Sequence, residues 1–194
     1  FLEYNRNKIG KITLTGEITE YQIPTENSYP DGISAGPDGN LWFTAVNTSK
    51  IGRITPNGVI TEFPLSTGYN PSQITTGPDG NIWFTQLSSN QIGRITPNGT
   101  ISQFPLSNGP AMDITKGPDG NLWFTEPFTN NIGRITPYGI VTEIPIPTFD
   151  GYPNSITAGS DGNIWFSERQ GNIIARVNLV DPINPGPPDD GNTL

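Results

Sequence analysis

Histidine is absent from the chain, and so is cysteine. The missing imidazole removes the commonest general base, the commonest nitrogen ligand for metals and every Ser–His or Cys–His nucleophile pair. The missing thiol removes disulfides and thiolate metal sites. Basic residues are scarce: ten Lys and Arg stand against eighteen Asp and Glu, for a formal charge of -8. A phosphate backbone or an anionic bilayer needs a basic patch, so nucleic acid and charged membrane surface are disfavoured as partners. No long apolar run occurs, so no membrane span is expected.

What the 194 residues contain instead is one unit, GPDGNLWFTEPFTNNIGRIT at Gly117–Thr136, repeated from end to end. Gly36, Gly77, Gly117 and Gly159 open it at steps of 41, 40 and 42 residues. Trp42, Trp83, Trp123 and Trp165 follow in phase, as do Gly10, Gly52, Gly93, Gly133 and Ala175. A period of about 40–45 residues holding about four short strands marks a propeller blade. The expected fold class is therefore all-β, a β-propeller of four-stranded antiparallel blades on repeats of about 41 residues. Such blades bury their faces only against one another, so residues 1–179 read as one body.

The phase of the repeat sets the strand count. Residues 1–24 align with 124–147 without a gap, so a partial blade comes first. Full blades follow from about Asp31, Ser72 and Met112, and an incomplete one spans about 154–179. This predicts 3, 4, 4, 4 and 3 strands. The first strands are short and small, at Ile33–Gly36, Ile74–Gly77, Ile114–Gly117 and Ile156–Gly159, as befits the innermost position. The second strands carry apolar runs such as Leu122-Trp123-Phe124, which bury both faces between neighbouring blades. The fourth strands alternate more and carry Glu20, Glu62, Gln103 and Glu143, as a half-wet outer strand would. Residues 180–194, rich in Pro, Gly and Asp, read as a linker or disordered tail. A ring of four would duplicate strands and a ring of five would lack two. The chain therefore reads as an arc of about 4.5 blades of a larger propeller. Alternatively another chain, or self-association, completes the end blades, whose edges are unpaired.

The words GPDGNLWFTE, NNIGRITP and GIVTEIPIP resemble the virginiamycin B lyase (streptogramin lyase) family over residues 1 to about 179. The resemblance implies a seven-bladed ring and a magnesium-dependent carbon–oxygen lyase that opens cyclic streptogramin B antibiotics. It also implies a histidine base just after a proline, in the pattern Pro-His-Gly-Ile, with glutamates and magnesium near one mouth of the channel. In that register this chain holds Asp31, Ser72, Met112 and Asn154, none of which replaces an imidazole near neutral pH. Acidic groups remain at the ends of second strands, as Glu3, Glu126 and Glu168, with Ala45 and Gln86 in the other two blades.

Several positions carry a sharper and a plainer reading. Asp38, Asp79, Asp119 and Asp161 fall in Asp-Gly-Asn turns, which read as turn chemistry rather than calcium loops, for the distal Glu is wanting. Lys11, Arg53, Arg94, Arg134 and Arg176 share one register, either as an anion ring or as ion pairs with a neighbouring strand, such as Arg53 with Glu62. The tryptophans read as interblade core rather than ligand platforms. Glu126 and Glu168 are the metal or acid/base candidates, or else partners of a nearby Arg. Asp31, Ser72, Met112, Asn154 and Lys116 break the internal symmetry near the channel and are the ligand-binding candidates. The expected function is a non-catalytic binding or assembly module. The alternative is part of an active lyase whose base lies in blades outside this chain. Low Lys, no Cys and abundant Asn, Thr, Gly and Pro point to an extracellular or cell-surface setting, with the cytoplasm as the alternative.

Overall fold

Alternating turns and apolar runs leave no stretch with helical period, and the regular elements of the computed structural model are, among the described residues, all strands but for one short 3-10 turn at Tyr4–Arg6. It describes residues 1–65 and 70–179. The expectation for residues 180–194 falls outside the described residues. Blade I comprises β1 (Leu2–Glu3), β2 (Lys8–Ile12) and β3 (Ile18–Gln22). Blade II comprises β4 (Pro30–Ala35), β5 (Leu41–Ala45), β6 (Lys50–Ile54) and β7 (Ile60–Pro64). Blade III comprises β8 (Pro71–Thr76), β9 (Ile82–Gln86), β10 (Gln91–Ile95) and β11 (Ile101–Pro105). Blade IV comprises β12 (Ile114–Lys116), β13 (Leu122–Glu126), β14 (Asn131–Ile135) and β15 (Val141–Pro145). Blade V comprises β16 (Pro153–Ala158), β17 (Ile164–Glu168) and β18 (Ile173–Val177). All pairings are antiparallel and sequential within each blade. The first strands β4, β8, β12 and β16 lie side by side, and they form the inner wall of the arc.

Each seam between blades repeats one packing scheme. Trp42 is fully buried among Ile51 and Leu65 of its own blade and Ile74, Ile82, Phe84 and Ile95 of the next. Trp83 and Trp123 repeat this toward blades IV and V. Phe63 and Phe104 stack on Trp42 and Trp83, with ring centroids 5.4 and 5.2 Å apart. The third strand must pass close over the second-strand Phe. A methyl built on Gly93 would lie 2.1 Å from the Phe84 ring, which is why glycine recurs at that register.

The Asp-Gly-Asn turn fixes each indole from outside. Asp79 accepts the Trp83 indole N–H at 3.0 Å, the Asn81 backbone N–H at 3.2 Å and the Asn81 side-chain amide at 2.7 Å. Burial pushes the Asp38 and Asp79 carboxyls up, but these hydrogen bonds outweigh it and leave both below the ordinary aspartate value. The turn reading of these aspartates is thus what the structure displays. The Arg53–Glu62 pairing is not: the Arg53 guanidinium lies 3.7 Å from Asp38, 5.4 Å over the Trp42 ring, and donates to the Pro97 carbonyl of the next blade at 3.0 Å. Glu62 instead lies 3.5 Å from Lys50. Arg94 repeats the arrangement with Asp79, Trp83 and Pro137. Arg53 and Arg94 thus clip their blades to the next across the seam.

The first strands also differ from their expected bounds. β4, β8 and β16 start three residues earlier, at Pro30, Pro71 and Pro153, and carry a bulge before the Ile. Their preceding residues Tyr29, Asn70 and Tyr152 take left-handed φ of 48°, 26° and 55°. Blade IV has Pro110 at that point, whose ring locks φ near -65°, so β12 begins only at Ile114.

Candidate functional site

The starts of the first strands and the ends of the second strands meet at one mouth of the arc, because Pro30 pairs with Ala45, Pro71 with Gln86 and Pro153 with Glu168. In blades II, III and IV a threonine one residue before the second-strand end builds the rim, and Ser167 takes that place in blade V. The Thr44 hydroxyl accepts from Gly32 N–H at 2.9 Å and donates to the Ser72 carbonyl of the next blade at 2.6 Å. Thr85 bridges Gln73 N–H to the Met112 carbonyl, and Thr125 bridges Asp113 N–H to the Asn154 carbonyl, at 2.9–3.1 Å. These hydroxyls hold Ser72, Met112 and Asn154 in place through their backbones and leave the side chains for other uses.

Asp31 and Ser72 are brought together: the Ser72 hydroxyl donates to Asp31 at 2.7 Å, and the Gln73 amide adds a second bond at 3.1 Å. Asp113, one residue past Met112, accepts from its neighbour Ile114 N–H at 2.8 Å and from Ile156 N–H of the next blade at 3.0 Å. Burial pushes the Asp113 carboxyl above the ordinary range despite those bonds, and the charge of Asp31 pushes it further. The Asn154 amide donates to Ser155 at 3.4 Å. Lys116 is not part of this group; it is exposed at the far end of β12. The mouth is therefore acidic and rich in acceptors. Asp113 and the rim threonines escaped the reading of the sequence. Asp113 was detectable by the symmetry argument that singled out Met112, since Gly32, Gln73 and Ser155 stand in its register. The threonines were not, because they repeat too regularly to stand out.

Glu126 is fully buried, and neither carboxylate oxygen has a hydrogen-bond partner. Burial, and then the charge of Glu143, pushes its carboxyl to about 8. Glu143 in turn holds the loop before blade IV, accepting from Ser107 N–H at 2.9 Å and from the Asn108 side chain at 2.7 Å. Glu168 is also buried, in a separate blade, with one oxygen unpartnered beside Gly151. Glu126 closes β13 of blade IV and Glu168 closes β17 of the adjacent blade V. Magnesium needs a near-octahedral set of oxygens, and no group of three or more His, Cys, Asp or Glu able to hold a metal occurs among the described residues.

Radial packing of small four-stranded antiparallel sheets around a shared inner wall defines the chain as part of a β-propeller, with an acidic, histidine-free mouth. The chain belongs to the Virginiamycin B lyase family, whose profile matches residues 1–177. It is 44% identical, with a TM-score of 0.88, to a catalytically inactive virginiamycin B lyase from Staphylococcus aureus solved with quinupristin, in which a histidine is replaced by alanine. It is 43% identical, again at a TM-score of 0.88, to a solved streptogramin B lyase. These matches cover 98% and 91% of this chain but 66% and 60% of theirs. A virginiamycin B lyase from Saccharopolyspora erythraea is 54% identical over 33 residues, which are 17% of this chain and 11% of that protein. Among the described residues no helix is long and apolar enough to cross a membrane.

Proposed function

We propose that these blades form a non-catalytic binding or assembly module on a streptogramin-lyase scaffold. One observation carries the reading: at the post-proline register the chain places Asp31, Ser72, Met112 and Asn154, and Asp31 is engaged by Ser72 and Gln73. Carboxylates as a class lack the basicity of an imidazole, and a thioether has none. The mouth binds through acceptors, which suits cationic or hydrogen-bond-donating ligands. Incubating the chain with magnesium and a streptogramin B tests this. No linear product is expected; ring opening by this chain alone overturns the reading.

The coverage favours a second reading. Because the chain spans under two thirds of the solved lyases it resembles, these blades can serve as part of a magnesium-dependent carbon–oxygen lyase whose base sits in blades outside this chain. Further repeats with Pro-His-Gly-Ile in a longer gene support that; an intact gene holding only these repeats removes it. Either module would work outside the cell or on its surface, as the cysteine-free, lysine-poor composition favours; recovery of the native protein only from the cytosolic fraction counts against it.

A further inference from the structure

We propose that blade IV holds a calcium ion between Glu126 of β13 and Glu143 of β15, in the place that a lysine ammonium fills in blades I and II. In blades I to IV the same three positions come together: the last residue of the second strand, the first of the third and the middle one of the fourth. In blade I they are Glu3, Lys8 and Glu20, and the Lys8 ammonium lies 2.5 Å from Glu20. In blade II they are Ala45, Lys50 and Glu62, with Lys50 3.5 Å from Glu62 and donating to the Thr25 hydroxyl at 2.6 Å. Blade III avoids charge altogether: Gln86, Gln91 and Gln103 stand there, and the Gln103 amide donates to Gln86 at 3.4 Å. Blade IV has Glu126, Asn131 and Glu143, two acids with a neutral residue where the lysine was. Among the described residues no ion pair reaches either carboxylate.

The geometry leaves acceptors waiting. Glu126 is 0% exposed, both its oxygens lack a hydrogen-bond partner, and it faces Glu143, Asn131 and Thr129. Phe124, two residues earlier on the same face of β13, packs against Trp83 and Ile92 of blade III. The pair therefore sits in the seam between blades III and IV, off the channel wall. Glu143 takes three donors, from Ser107 N–H and from the Asn108 backbone and side chain, which leaves one of about four lone-pair sites open. Asn108 stands in the register of Thr25, the residue that Lys50 reaches in blade II. Uncompensated buried charge is costly, so a counter-ion here relieves what the missing lysine leaves. Two carboxylates balance a divalent ion. The Asn131 amide nitrogen turns to Thr129 at 3.3 Å, which leaves its carbonyl oxygen as a further ligand. No group of three acids occurs among the described residues, so the site leans on such neutral oxygens. Calcium tolerates that irregular, mixed shell, whereas magnesium demands a near-ideal octahedron. Exposed Ser107 and Asn108 border the pair and give an ion its way in from solvent.

The site goes beyond the binding reading of the mouth and stands or falls apart from it, since ring opening in the lyase assay would leave this seam untouched. The test titrates calcium chloride calorimetrically into the chelator-washed whole chain. A proton competes for Glu126, whose carboxyl is pushed to about 8, so the titration is run at about pH 9. One saturable site per chain is expected, with Kd about 0.1–1 mM. Calcium at about 10 mM should then raise the melting temperature by about 3 °C or more. Glu126→Gln and Glu143→Gln should each weaken binding about tenfold or more. Asn131→Lys restores the ammonium of blades I and II and should abolish the calcium response. Should that variant fail to fold, the near-isosteric Glu126→Gln still decides the matter. Absence of both saturable heat and a melting shift overturns the proposal. So does calcium binding that survives both glutamine substitutions or a folded Asn131→Lys, or equal binding of magnesium or potassium.

Discussion

The seams and the mouth of this arc are made from the same repeat, yet they have opposite characters. At the seams, Trp42, Trp83 and Trp123 meet the same partners three times over, down to the aspartate on the indole nitrogen. At the mouth, four equivalent positions hold Asp31, Ser72, Met112 and Asn154, four different side chains, of which Asp31 accepts from Ser72 and Asn154 donates to Ser155. Their backbones are nevertheless fixed in common by Thr44, Thr85 and Thr125. Repetition lives where close packing leaves one solution, and variety lives where a side chain is spared from holding the fold. The end blade supports this: Ala175 stands there in the glycine register opposite Phe166, in the blade whose Trp165 is only partly buried.

Substitutions can break or sharpen that contrast. The largest effect is expected at a seam: Trp83→Ala should remove about 3–5 kcal/mol of stability, read from denaturant midpoints, because a fully buried indole leaves a cavity. Gly93→Ala should follow at about 2 kcal/mol, since the new methyl would overlap the Phe84 ring; a neutral result would show the seams to be softer than argued.

Glu126 lies between the two regimes. Its carboxyl titrates near 8 in the fold against 4.5 for an ordinary glutamate. The native state therefore holds the proton that the unfolded chain has released. The sign follows: stability is fullest below pH 4.5 and falls as pH rises from there toward 8. Glu126→Gln should flatten this loss, with a slope difference of at most about 1.4 kcal/mol per pH unit. Melting at pH 5, 6.5 and 8 checks it, and parallel curves for parent and variant would discard the buried-acid account. The smallest effect is expected at the mouth. Asp31→Asn keeps an acceptor for Ser72 and should change stability by no more than about 0.5 kcal/mol, while lowering the Asp113 titration followed by carboxyl NMR. A seam-sized loss there would erase the contrast.

Most of the architecture was legible because it rests on period. Tryptophans some 41 residues apart, a three-residue apolar run and a Pro-Asp-Gly-Asn turn constrain strand order before any coordinate is known. What period does not encode is the neighbour across a seam. Arg53 has Glu62 one strand away in its own sheet, but its guanidinium reaches over Trp42 to Asp38 and to Pro97 in the next blade. The start of β12 was likewise hidden, because one proline at position 110 acts through a φ angle that its neighbours at this register hold positive. Of the site, the variable positions could be named from the sequence. That Asp31 and Ser72 touch, and that Asp113 reaches Ile156, are facts of three-dimensional adjacency.

The rim threonines have one further consequence. Each hydroxyl takes a proton from its own blade and gives one to the blade after it, never the reverse. The arc is thus a one-way object, like a zip with distinct left and right teeth.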